Sequence, residues 1–228
     1  MESLHSPTFW IGLLEIIWIN IILSGDNAVV IALSARSLPP QHQTRAIVLG
    51  SAAAVVLRIV LTVVAAELLE LSFLQIAGGL LLLWIAIQLF GDEEPGDPDE
   101  APSASLAAAV RTILLADLVM SLDNVIAVAA AAQGDLVLLG LGLALSIPLV
   151  VFGSTVMIRL MERFPIIVML GAALIGWVGG ETIMNDVLLR GVVDAYPWLP
   201  SAGGAICAVL VVLIGRHLKA RSGQSSTA

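Results

Sequence analysis

Apolar runs bounded by charge, proline or glycine divide the chain into seven stretches, 8–33, 46–69, 73–90, 106–130, 136–160, 166–184 and 201–214. Most approach or exceed the roughly 20 residues a helix needs to cross a bilayer. Polar residues break two of these runs in the same way. Leu23-Ser24-Gly25-Asp26-Asn27-Ala28 interrupts the first and Met120-Ser121-Leu122-Asp123-Asn124-Val125 the fourth. At one constant offset Asn20 answers Asp117, Ser24 answers Ser121, Asp26 answers Asp123 and Asn27 answers Asn124.

The match extends further along the chain. Ala77-Gly78-Gly79 precedes Trp84 by the spacing at which Leu170-Gly171-Ala172 precedes Trp177, which aligns Gln88 with Glu181. Each half is thus a three-helix unit, 8–91 and 105–186, joined by an acidic linker at 92–104 and followed by an unmatched seventh helix at 199–218. Because three is odd, the second unit enters the membrane from the opposite side. The expected fold is one all-α membrane domain of seven transmembrane helices, two inverted three-helix repeats plus an extra C-terminal helix. Secondary transporters are built this way, with their sites near the midplane where the repeats meet.

Composition agrees with a membrane chain: 59% of the 228 residues are hydrophobic and 12% charged, with a mean hydropathy of +1.02. Little sequence is left for a soluble domain. The first apolar run lacks a basic leader and a small-residue cleavage site, so it reads as a retained span. Arg36, Arg45, Arg159, Arg163, Arg216, Lys219 and Arg221 fall on one side of the threading and Arg190 alone on the other. The positive-inside rule then places the amino terminus outside and the carboxyl terminus in the cytoplasm of a bacterial inner membrane. Much of the net charge of −8 comes from 92–100, a Pro, Gly and acid-rich stretch that reads as a solvated cytoplasmic linker. Nucleic acid is not an expected partner.

Chemistry narrows next. Cys207 is the only cysteine, and His5, His42 and His217 all sit near expected helix ends, so neither a thiolate cluster nor a buried imidazole site is available. Oxygen ligands remain. Asn20, Ser24 and Asn27 share one stripe of the first span, as Asp117, Ser121 and Asn124 do in the fourth, with Asp26 and Asp123 about a quarter turn away. Glu15 lies about three turns before Asp26 on that side. Gly25 weakens the first helix, where an unwound turn would expose carbonyls; Leu122 holds the matching place, so such a break is one-sided. Carboxylates, carboxamides and carbonyls suit hard or borderline divalent cations such as Mg²⁺, Ca²⁺ or Mn²⁺. The expected metal set is Asp26, Asn27, Asp117, Asp123, Asn124 and Glu181, with Glu15, Asn20, Ser24, Ser121 and Arg58 as accessories. Arg58, the one cation expected in mid-membrane, either lowers the charge of the empty site or locks two states together.

Each position also has a plain structural reading. A lone Asp-Asn pair glues membrane helices at under about 2 kcal/mol; two copies in register point instead to a shared ion site, because an ionisable group in the bilayer costs roughly 2.5–3.5 kcal/mol. Glu67 and Glu70 read as boundary charges. Gly78, Gly79, Gly171, Gly179 and Gly180 read as packing residues, and Trp84 and Trp177 as core or interfacial anchors.

Through LSGDNAVVIA and MSLDNVIAVA, the paired Gly/Trp spans and the acidic linker, the chain resembles the TerC family of bacterial integral membrane proteins, in its short form without appended soluble domains. That family is named from tellurium resistance operons and is similar to the LysE-type exporter group. The resemblance implies export of divalent metal, chiefly Mn²⁺, and places the family's acidic motif on Asp26, Asn27, Asp123 and Asn124, with Asp117 as a helix neighbour. Metal would be cargo, with no resident cofactor and a proton or other cation as counter-ion. No GxxxxGK[ST] motif occurs, so an ion gradient or membrane potential is the expected driving force. Two other readings stay open: a non-transporting scaffold in metal or tellurite stress resistance, and an amino-acid exporter. No nucleophile–base constellation suggests an enzyme. The bilayer is the expected surrounding, and homo-oligomerisation stays open.

Overall fold

The computed structural model describes residues 7–23, 25–68, 71–91, 105–132 and 135–225. The expected linker, Ser24 and Glu70 lie outside them, as do the side chains of Asn20, Glu67 and Asp123. The described elements are α1 (Pro7–Leu23), α2 (Gly25–Arg36), α3 (Pro40–Leu68), α4 (Leu74–Gly91), α5 (Leu106–Ala132), α6 (Leu136–Arg163), α7 (Ile166–Met184), a 3₁₀ turn (Val187–Leu189), α8 (Arg190–Ala195) and α9 (Leu199–Ser225). All regular structure among the described residues is helical, as a chain immersed in lipid requires if it is to satisfy its own backbone.

Among the described residues five helices are long and apolar enough to cross a membrane: 40–64 in α3, 74–91 in α4, 137–163 in α6, 166–184 in α7 and 199–220 in α9. The two remaining expected spans are those that carry the twin motifs. The first is described as α1, whose apolar part is the shorter Trp10–Ile19, and α2. The fourth, α5, has 27 residues, about 40 Å at 1.5 Å per residue, and includes Arg111, Asp117 and Asp123. Its helix runs unbroken through the second motif.

The helices sort into two sets by what they touch. In one, α1 and α2 pack on α6, α5 packs on α3, and α3 on α6. In the other, α4 and α9 both pack on α7. Between helices in lipid the hydrophobic effect supplies little attraction, so close van der Waals approach matters and small residues allow it. At the α4–α7 seam a Cβ on Gly79 would land on the Gly179 carbonyl oxygen, and at the α7–α9 seam one on Gly180 would land on that of Gly203. Trp177 packs against Gly204 of α9, whereas Trp84 is 58% exposed on α4.

Two polar contacts tie the ends. Arg36, in the last turn of α2, donates from Nη2 to the Leu89 carbonyl of α4 at 3.1 Å, a cation at a helix C-terminus. At the other end of α4, the Asp186 carboxylate accepts from four backbone N–H groups: Phe73 (3.2 Å), Gln75 (3.2 Å), Ile76 (3.3 Å) and Leu188 (3.1 Å). It caps its own 3₁₀ turn and, from far along the chain, satisfies donors that the first turn of α4 leaves without helical partners. Burial alone would raise the Asp186 pKa, but these four donors outweigh it and hold it below the usual carboxylate range. Phe73 takes a left-handed φ of 69° as its N–H meets Asp186, a conformation rare for a bulky residue.

Candidate cation site

The helices of the first set surround a buried polar cluster. Arg58 is on α3, 6% exposed, and Asp117 on α5, 7% exposed. Arg58 Nη2 donates to Asp117 Oδ1 at 2.5 Å and Arg58 Nε to Ser121 Oγ at 3.1 Å. Ser121 in turn donates from Oγ to Asp117 Oδ2 at 3.0 Å. Asp117 and Ser121 share a face because they are one helical turn apart. The arrangement closes a triangle in which both carboxylate oxygens are engaged. A buried pair of this kind must be well hydrogen-bonded to offset the loss of solvation.

Asp26 stands in the first turn of α2, half-buried, and its Oδ1 accepts from the backbone N–H of Asn27 at 2.8 Å. A first-turn N–H has no intrahelical acceptor, and Asp26 supplies one locally. Among the described residues, Arg58 and Asp117 are close enough to Asp26 to act on it electrostatically. This neighbourhood therefore holds two carboxylates against one guanidinium.

Beside the cluster lies a cavity of about 30 Å³, lined chiefly by Asn27 and Ile31 of α2, Ser51, Ala54, Val55 and Arg58 of α3, Asp117 of α5, and Ser146, Ile147 and Val150 of α6. Both halves of the chain contribute walls. Of the expected site residues the structure brings Asn27, Arg58 and Asp117 to the cavity, with Ser121 bonded to two of them and Asp26 nearby. Asn124 is half-buried on α5 and Glu181 half-buried on α7, and neither is among these lining residues. Glu15 is on an exposed face of α1 with Leu14 (66%) and Trp18 (64%), and it is not among the cavity's lining residues. Among the described residues no group of three or more His, Cys, Asp or Glu is placed to hold a metal.

Two polar cavity residues were absent from the expected set. Ser51, 4% exposed, has a buried Oγ with no hydrogen-bond partner, and Ser146, 5% exposed, donates its hydroxyl to the Leu143 carbonyl at 2.6 Å. A signal for Ser51 existed: it precedes Arg58 by two helical turns and so shares its face. On α6 the same stripe continues through Val150 to Ser154, fully buried with an equally unpartnered hydroxyl.

Comparison with known proteins agrees with the resemblance. Residues 5–223 match the family described as Integral membrane protein TerC family. The uncharacterized membrane protein YjbE of Bacillus subtilis (strain 168) is 45% identical over 178 residues, covering 78% of this chain and 81% of YjbE. The UPF0053 inner membrane protein YgdQ of Escherichia coli (strain K12) is 25% identical over 197 residues, 79% of this chain and 83% of YgdQ. The UPF0053 protein YegH of the same strain is 28% identical over 189 residues, but that match spans 36% of YegH. No solved structure matches. A family match across nearly the whole length and a close relative of similar size place the chain in the TerC family of integral membrane proteins.

Proposed function

We propose that this protein is a secondary-active exporter of hard divalent cations, Mn²⁺ foremost, working by alternating access at the Asp26/Asp117/Asp123 region. The observation that carries the reading is the cavity whose walls come from both halves and which adjoins two carboxylates and one guanidinium among the described residues. Ionisable groups inside a bilayer mark ion pathways, and oxygen donors without sulfur or imidazole suit this class of metal. Arg58 acts as the resident cation that neutralises Asp117 when no metal is present. Cargo entry displaces it, and a proton or another cation returns in exchange.

The finer architecture belongs to the same proposal: seven spans, two inverted repeats, amino terminus outside and carboxyl terminus in the cytoplasm. Helix partners support it. Exchanging the halves maps the packing of α1 and α2 on α6 onto that of α5 on α3, and maps α3 on α6 and α4 on α7 each onto itself. The test is Mn²⁺ uptake into inside-out vesicles with wild type, Asp26→Asn and Asp123→Asn. Loss of uptake in the variants is expected; transport equal to wild type in both ends the proposal.

A second reading has its own observation. Asp117 is engaged on both oxygens, so the polar residues serve equally well as staples in a non-transporting scaffold. Purified protein in liposomes separates the two, since a scaffold moves no metal alone.

A further inference from the structure

We propose that Ser51 is a ligand for the transported cation, contributing a neutral hydroxyl oxygen from a helix that carries neither twin motif. The proposal rests on the transport reading above and extends its ligand set to α3. Its starting point is an unmade hydrogen bond. A hydroxyl buried without a partner costs about 1–3 kcal/mol, yet Ser51 keeps one in a helix whose neighbouring positions are largely alanine and valine.

The surroundings say what would complete it. The cavity wall adds the Ser146 hydroxyl, whose proton is already given to Leu143 so that its lone pairs face other needs, the Asn27 carboxamide and the Asp117 carboxylate. With Asp26 nearby, carboxylates outnumber cations, so the cavity favours positive charge. At about 30 Å³ it has room for an ion with a water or two beside it, so wall oxygens and residual water would share the coordination. The sequence supports the pairing of the two serines: the separation of Ser51 from Ser146 falls between that of Asp26 from Asp123 and that of Gly79 from Ala172, so they occupy equivalent places in the second helix of each half.

Titration calorimetry of the full-length protein in lipid nanodiscs, with Mn²⁺ and separately with Cd²⁺, tests this in wild type, Ser51→Ala, Ser51→Cys and Asp26→Asn. Ser51→Ala is expected to weaken Mn²⁺ binding about tenfold. Ser51→Cys, close to serine in size but with a soft sulfur, is expected to raise the Cd²⁺-to-Mn²⁺ affinity ratio at least tenfold. A ratio within twofold of wild type for Ser51→Cys, while wild type binds Mn²⁺ and Asp26→Asn does not, overturns the role of Ser51 and leaves the transport reading standing. Absence of Mn²⁺ binding in wild type overturns both.

Discussion

Arg58 and Asp117 meet at 2.5 Å between α3 and α5, and the same guanidinium reaches Ser121 one turn further along α5. One side chain thus fixes the register of two long helices at their middle. Removing one member leaves a buried charge without its counterpart, which costs about 3–5 kcal/mol. Arg58→Gln and Asp117→Asn are each expected to lower the thermal stability of the purified protein, and the double variant to recover most of the loss. A coupling energy near zero in this cycle would show that the pair does not act as a unit.

The same pair makes a prediction for cargo. If Mn²⁺ binds the folded protein alone, saturating metal raises its stability; at 100 times Kd the gain is about 2.7 kcal/mol. Thermal melting with and without Mn²⁺ is expected to show this rise in wild type and to lose it in Asp26→Asn.

At the other end of the bundle, Asp186 has its pKa depressed by four backbone donors. A depressed carboxylate contributes stability above its unfolded pKa of about 4, and that stability is lost as pH falls through the lower folded value. Wild type is expected to lose melting temperature below about pH 4 more steeply than Asp186→Asn. At neutral pH, Asp186→Ala is expected to cost about 1–3 kcal/mol.

The α4–α7 seam allows a controlled comparison. A Cβ at Gly79 meets the Gly179 carbonyl oxygen, whereas a Cβ at Gly140 of α6 meets nothing within 4 Å. Gly79→Ala is expected to destabilise by about 1–3 kcal/mol through overpacking, and Gly140→Ala to be neutral or slightly stabilising. Melting curves of the two variants, recorded side by side, decide it.

Much of this was legible in the chain because lipid imposes simple rules. Apolar length announced the helices, and duplicated polar residues announced Asn27 and Asp117, which do reach the cavity. Arg58 stood out as a cation in an apolar run, and it does pair with a carboxylate. What escaped was small or distant. Ser51 and Ser146 are serines among alanines, valines and leucines, indistinguishable by hydropathy from helix packing. Asp186 acts on N–H groups more than a hundred residues earlier, Ile76 being 110 away, and no local pattern reports such a partner. Glu181 was drawn in by alignment with Gln88, but α7 packs between α4 and α9 and its Glu181 is not among the residues that line the cavity.

The four-point grip of Asp186 carries a mechanical corollary. Through Phe73, Gln75 and Ile76 it stitches the segment just after α7 to the start of α4, near where the two helices approach at Gly79 and Gly179. Those two helices are thereby held together at that end, and under the transport reading proposed above any rocking is expected along the boundary between them and the helices cradling Arg58.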